Sequence, residues 1–501
     1  MPVAAPVRPN IIVILCDDMG YGDVSCLNPK GKIPTPEMDT IARQGIRFTD
    51  AHSGSAVCSP TRYGLLTGRY AWRGKLKSGV LGGLSPGLIE QGRLTIAQML
   101  REKGYQTAAI GKWHVGMDWE KLPGREVAVL GIESPAQNRN VDYTKPIKNG
   151  PNSAGFDYFF GISASLDMIP YAFIENDRLT QPPTGELEFA MMLGKNKGKT
   201  RKGPGAPGFD AAGVLPVLTE KAVGYINSRK KDVPFFLYLP LAAPHTPILP
   251  NTPFQGKSGL NPYGDFVMET DAAIGKVAKA VEKAGLVDNT LFVITSDNGC
   301  SPMADLPALL AKGHNPNYHF RGHKADIFEG GHRVPFLVRW PGKIQPGGSS
   351  ERLVCLTDLM ATFAEVTGAV LQDHAAEDSF SFADLLGIIH PTGKRERPRR
   401  ESIVHHSING SFAIRRGSWK LALCPDSGGW SAPQPKSANA KNLPQSQLFD
   451  LASDIGETTN LLESHPEKAA SLEQEMGVLV ANGRSRPGTR QQNEGTIKLR
   501  P

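Results

Sequence analysis

Chemically capable side chains gather directly behind short apolar runs in this chain. Asp17 and Asp18 follow NIIVILC, Lys112 and His114 close QTAAIGKWH, His245 follows VPFFLYLPLAAP, and Asp297 and Asn298 follow NTLFVITS. Two adjacent aspartates repel one another unless something neutralises them. With Asp297 and Asn298 they offer four oxygen-bearing side chains suited to a hard divalent cation, calcium or magnesium. Either pair alone would serve equally as an Asx turn or a helix cap; two pairs behind matching runs favour the metal. His114 and His245 supply groups that titrate near neutrality, as proton donors and acceptors must, and Pro244 and Pro247 stiffen the loop that aims His245. Lys324, in RGHKADIFEGGHRVP, precedes a Gly330–Gly331 turn into another apolar run, where its ammonium can face a crevice. Cys58, in AVCSPTRYGLLTGRY, reads on its own as a small buried hydrophobe.

The elements that must carry these residues follow from periodicity. The runs above, with RVPFLVRWPG near residue 333, are short, β-rich and bounded by Gly, Pro, Asp or Asn, so they read as buried strands. Between them LTIAQMLREKGY at 95–106 and FVMETDAAIGKVAKAVEKAG at 266–285 read as helices, the second with a stripe at Ile274, Val277, Ala278 and Val281. Alternation of this kind predicts an α/β fold around a large, mainly parallel sheet flanked by helices. In such a sheet the ligand crevice lies beyond the carboxyl ends of the strands, where the polar residues above stand. A basic, Pro-containing stretch at about 389–400 reads as a linker between an N-terminal catalytic domain, 1–388, and a smaller C-terminal α+β domain, 389–501. The latter holds ESIVHH, SFAIRRG, WKLAL and QLFDLA as strands of an antiparallel sheet, then a final helix in HPEKAASLEQEMGVLVANG.

Bulk properties set limits. A length of 501 residues allows a large core. Fifty-six basic against 49 acidic residues leave +7, which does not point to nucleic acid and suits an anionic substrate. The six cysteines, Cys16, Cys26, Cys58, Cys300, Cys355 and Cys424, show neither disulfide nor zinc spacing. The start MPVAAPVRPN lacks the pattern of a signal peptide, and no apolar run reaches the length of a membrane span. The basic stretch GKNKGKTRKGPGAPG at 194–208 reads either as a solvated loop or as a lip that gathers anionic polymer.

CSPTRYGLLTGRY resembles the signature of the type I, formylglycine-dependent sulfatases of the alkaline phosphatase-like superfamily. NIIVILCDDMGYGD, GKWHVG, APHTP, ITSDNG, KADIFEGGHRVP and QLFDLASDIGETTNL resemble the same family in its order, over nearly the whole chain. The resemblance implies that Cys58 is oxidised to Cα-formylglycine by a sulfatase-maturing enzyme that reads Pro60 and Arg62. It implies one divalent metal, calcium before magnesium, on Asp17, Asp18, Asp297, Asn298 and the modified Cys58. A hydroxyl of the hydrated aldehyde would take the sulfuryl group, and the second hydroxyl would let sulfate depart. Lys112 and Lys324 would bind sulfate oxygens, with Ser165 in GISASLD as a further sulfate contact. Arg62 would steady the diol and the metal-ligand carboxylates, His245 would protonate the leaving alcohol, and His114 would take the proton of the second hydroxyl. Thr61 and Ala325 depart from the family's usual small residue and glycine.

The reaction expected is hydrolysis of a sulfate monoester, with a sulfated carbohydrate as substrate and, by resemblance, a periplasmic or secreted location. Two other readings stand beside it: a phosphate or phosphonate ester hydrolase of the same superfamily, and a non-catalytic sulfated-glycan binder with an unmodified Cys58. Specificity is expected in the loops 116–152, 166–211 and 301–323 and in HHSINGS at 405–411. In the third of these, His314, His319, Arg321 and His323 read either as contacts to sugar hydroxyls or a uronate carboxylate, or as a polar surface.

Overall fold

A computed structural model describes residues 8–388 and 398–500, so most of the expected linker at 389–400 lies outside the described residues. A ten-stranded sheet runs, edge to edge, through Gly348–Ser350, Ile46–Phe48, Phe336–Arg339, Thr290–Ser296, Asn10–Cys16, Phe235–Pro240, Gln106–Lys112, Tyr158–Ile162, Ile174–Glu175 and Arg178–Leu179. The central five, Thr290–Ser296 to Tyr158–Ile162, are parallel; Phe336–Arg339 pairs antiparallel to its neighbours, and Gly348–Ser350 closes that side. We call Asn10–Cys16 β1, Gln106–Lys112 β2, Phe235–Pro240 β3 and Thr290–Ser296 β4. Every residue of β1, β3 and β4 is buried, which is why they read as continuous apolar runs and not as alternating ones.

Helices cover the sheet. Pro262–Lys283 begins at Asn261, whose side chain accepts from Gly264 N–H, and buries the stripe of Ile274, Val277, Ala278 and Val281. Cys58–Thr67, here α1, is buried along its whole length and stops at Gly68, whose φ of 65° is the left-handed conformation of a C-terminal cap.

A second sheet, Ser402–His406, Phe412–Arg416, Trp419–Ala422 and Gln447–Asp450, is an antiparallel meander against which Pro466–Asn482 packs. Its apolar core is shared: Tyr70, Trp72 and Cys355 pack with Ile403, Val404, Ile414, Leu421 and Met476.

Charges join the two sheets as well. Arg415 donates to both Asp50 oxygens at 2.8 and 2.9 Å, and Lys420 lies 3.1 Å from Glu329 and 2.8 Å from Glu457. Between them sit His52, His332 and His405, all fully buried, with the last two rings stacked at 3.5 Å. His52 Nε2–H donates to Asp50 at 2.8 Å, the Nδ1 atoms of His52 and His332 share a hydrogen bond at 3.0 Å, and His332 Nε2 lies 3.1 Å from the Lys420 ammonium and 3.2 Å from the Ile327 carbonyl. Burial pushes all three histidines down from the ordinary 6.5; the Lys420 ammonium adds to this at His332 and His405, while Glu329 and Asp50 oppose it at His52.

The pH dependence has a definite sign. As pH falls through 6.5 the unfolded chain takes protons that these buried rings resist, so they withdraw stability on the acid side. Glu457, pushed up to about 7 by burial, binds a proton on folding and opposes that loss in part. The urea midpoint should therefore be lower at about pH 5.5 than at about pH 7.5, and the difference should be smaller in a His405→Asn protein.

Candidate active site

The register sets Cys16 beside Ser296, so Asp17–Asp18 and Asp297–Asn298 leave neighbouring strands side by side. Asp18 N–H donates to Asp297 Oδ1 at 3.2 Å, and Asn298 Nδ2 donates to Asp18 Oδ1 at 2.7 Å. From α1, Arg62 donates Nε and Nη2 to Asp297 Oδ2 at 3.1 and 2.8 Å and lies 3.6 Å from Asp17. Lys112, at the end of β2, donates to Asp17 Oδ2 at 2.6 Å and to Ser165 Oγ at 2.7 Å. Lys324 reaches the two Asp18 oxygens at 2.7 and 2.8 Å. His245 Nε2 faces Ser165 Oγ at 3.2 Å and Asp18 Oδ2 at 3.6 Å, held by an Nδ1–H donated to the Thr246 carbonyl at 2.6 Å.

Cys58 opens α1, where Val57 supplies no side-chain cap, and its thiol is 2% exposed. Burial raises the thiol against the pull of Lys112 and Lys324, so the encoded side chain is neutral. The segment before it is tied to Lys324 through Ala325, whose N–H donates to the Ala56 carbonyl at 2.8 Å. Ala325 has a φ of 80°, the left-handed region in which glycine is at ease. Asp18 and His114 share that region, at 64° and 54°, so three turns at this cluster hold strained backbone.

His114 is set indirectly. Its Nε2–H donates to the Leu81 carbonyl at 2.8 Å, and Leu81 N–H donates to Ser59 Oγ at 3.1 Å. His114 Nδ1 is then left buried without a partner. Burial and the Lys112 ammonium hold this ring well below the ordinary range, so it is a neutral acceptor. Ser59, Leu81 and Thr246 were not among the expected site residues. Ser59 lies inside a quoted motif, but Leu81 and Thr246 act through carbonyls, which no residue type advertises.

Charge is balanced within the cluster. Burial alone would raise Asp17, but Lys112, His245 and Arg62 outweigh it and hold the carboxyl well below its usual range. Asp297 is pushed up to about 6, by burial first and by the Asp17 charge second. Burial works against the Lys324 ammonium, yet Asp18 and the other acids keep it charged. Asp17 Oδ1 and Asn298 Oδ1 remain buried with no hydrogen-bond partner. Two unpaired ligand oxygens in an all-oxygen donor set of Asp17, Asp18, Asp297 and Asn298 fit a hard cation. A second buried group, His52, Glu329, His332 and His405, fits one poorly, since Lys420 and Arg415 already neutralise it and two of its rings are stacked.

The loop 301–323 divides. His314 is fully buried, donating to Asp23 at 2.9 Å and accepting from Lys32 N–H at 3.1 Å, so it holds the fold and reads no sugar. Arg321 stacks on Phe328 and donates to the Glu457 carbonyl, and is likewise structural. His319 is exposed, and His323 is half-buried with Nδ1 donating to the Lys324 carbonyl at 2.9 Å.

A family model described as Sulfatase matches residues 9–369. The chain belongs to the sulfatase family. This sulfatase is 34% identical to an N-acetylgalactosamine-6-O-sulfatase of Bacteroides thetaiotaomicron, over 93% of this chain and 92% of the relative. Against human arylsulfatase A the identity is 32%, over 92% and 84%. A solved structure described under the metabolism of multiple glycosaminoglycans by Bacteroides thetaiotaomicron aligns with a TM-score of 0.78 at 31% identity, covering 94% of this chain and 99% of that one. A phosphonate monoester hydrolase of Agrobacterium radiobacter shares the fold, with a TM-score of 0.59 at 18% identity, covering 95% of this chain and 96% of its own. The sulfatase is thus a sulfuric ester hydrolase on an alkaline phosphatase-like scaffold.

Proposed function

We propose that the sulfatase hydrolyses a sulfate monoester of a sulfated carbohydrate, with formylglycine made from Cys58 and one divalent cation, calcium before magnesium, held by Asp17, Asp18, Asp297 and Asn298. One observation carries this reading: two unpaired buried oxygens, on Asp17 and Asn298, stand in a cluster that also gathers Arg62, Lys112, Lys324, His114 and His245. When present, the cation supplies Lewis acidity and the hydrated formylglycine supplies a hydroxyl nucleophile with a second hydroxyl beside it.

The chain's own groups do the rest. Lys112 and Lys324 give up part of their hold on Asp17 and Asp18 to bind the sulfate oxygens, with Ser165 as a third contact. Arg62 keeps Asp297 ionised and in place. His245 Nε2 hands a proton to the leaving alcohol, and the unpaired His114 Nδ1 accepts one. The relative's printed activity makes N-acetylgalactosamine 6-sulfate the first substrate to try.

Sulfate release from a panel of sulfated mono- and oligosaccharides and from para-nitrophenyl sulfate tests the reading. No release by protein shown to carry formylglycine and calcium would sink it. His245→Ala should lower kcat on a sugar sulfate by roughly 10²- to 10⁴-fold. The loss on para-nitrophenyl sulfate should be much smaller, because its leaving group departs without a proton.

A further inference from the structure

The basic stretch at 194–208 is not a detached loop. Its first part folds back as a hairpin: Met191 N–H donates to the Gly198 carbonyl at 3.0 Å, Thr200 N–H donates to the Phe189 carbonyl at 2.8 Å, and Ala190 bridges Lys199. The base of the hairpin is stitched to the segment that carries His245. Leu193 N–H donates to the Ile248 carbonyl at 3.0 Å, and Ile248 N–H donates to the Met191 carbonyl at 2.9 Å. Its tip reaches the opposite loop, where Lys197 lies 3.3 Å from Asp305. The hairpin therefore runs from the leaving-group histidine to the loop 301–323.

Charge is what this element presents. Lys195, Lys197, Lys199, Arg201 and Lys202 face three acids: Asp305, Glu188 at 2.7 Å from Lys199, and Glu186 at 3.5 Å from Lys202. Lys195 is exposed and has no acidic partner among the described residues, and Lys199 and Lys202 are each 64% exposed at the side chain. Ion pairs this exposed are worth little, so the ammonium groups can exchange them for anions on a ligand.

We propose that this hairpin is a polyanion lip, binding the sulfate or carboxylate groups of sugar residues next to the ester being cleaved. The substrate is then an oligosaccharide with several anionic groups, and Lys195 and Lys197 determine that preference. The inference rests on the reading of His245 as the leaving-group histidine, which puts the departing sugar on the hairpin's side.

The test compares a chondroitin 6-sulfate tetrasaccharide with N-acetylgalactosamine 6-sulfate. In the wild type the ratio of kcat/KM, tetrasaccharide over monosaccharide, should fall as salt is added. The double reversal Lys195→Glu, Lys197→Glu should lower that ratio about tenfold at low ionic strength and flatten its salt dependence. Reversal of Lys230 and Lys231, which precede the start of β3 at the far end of the sheet, should not. Calorimetric binding of the tetrasaccharide to full-length Cys58→Ala protein reads the same contrast without turnover. No binding, binding indifferent to the hairpin reversal, or an equal loss from the Lys230 and Lys231 reversal overturns the lip and leaves the hydrolytic reading standing. Absence of sulfate release from any ester overturns the hydrolytic reading instead.

Discussion

Cys58→Ala should lower sulfate release by roughly 10⁵-fold or more, with the fold intact. Cys58 is buried, 2% exposed, and desolvation raises its thiol, which disfavours the thiolate that a nucleophile needs. A thiol that did attack sulfur would hold the sulfuryl group with no second hydroxyl to expel it. On the proposed reading, activity should track the fraction of chains in which Cys58 has become formylglycine. Intact mass reads that fraction directly, through exchange of sulfur and two hydrogens for oxygen. Fully thiol-bearing protein that turned over at the modified protein's rate would refute the assignment, as would an alanine variant within tenfold of wild type. Loss of a small side chain at the head of α1 costs little packing, so an unchanged thermal midpoint should accompany the lost activity.

Removing the divalent cation should be nearly as severe, a loss of at least roughly 10³-fold that added calcium restores. In the cation-free cluster, three carboxylates, Asp17, Asp18 and Asp297, face three cations, Arg62, Lys112 and Lys324. A divalent ion brings excess positive charge, which an anionic sulfate ester offsets. Cation and substrate should therefore strengthen one another's binding, by the same factor in either order. Chelated protein should bind inorganic sulfate more weakly than calcium-loaded protein, and Asp297→Asn should weaken calcium and sulfate together. Full activity in a chelator that holds calcium more tightly than the protein does would show that the unpaired oxygens of Asp17 and Asn298 serve something else.

Much of this architecture could be read from the chain alone, for identifiable reasons. The central strands are buried on both faces, so their runs are unbroken, and the residue after each run is forced to the rim of the sheet. That rule located Asp17, Asp18, Lys112, Asp297 and Asn298, and the structure brings all five together. The antiparallel course of Phe336–Arg339 was not legible, because a buried strand has the same apolar sequence in either direction. His314 was misjudged for a related reason: its partner Asp23 lies nearly three hundred residues away, and no local pattern records the pairing. The same holds for His52, His332 and His405, which three distant segments deliver to one place. The hairpin at 191–199 had the composition of a solvated loop, and what anchors it is main-chain pairing to Ile248, to which side-chain type is indifferent.

The shared seam between the two sheets bears on how the molecule can be divided. A polypeptide severed after residue 388 would lose Arg415 and Lys420 and leave Arg333, 3.0 Å from Asp50 and 3.2 Å from Glu329, to neutralise both carboxylates by itself. It would also bare Tyr70, Trp72 and Cys355, whose apolar cover is the smaller sheet. Such a fragment should be insoluble when expressed by itself. The smaller sheet is therefore part of what keeps the larger one folded and not a detachable accessory.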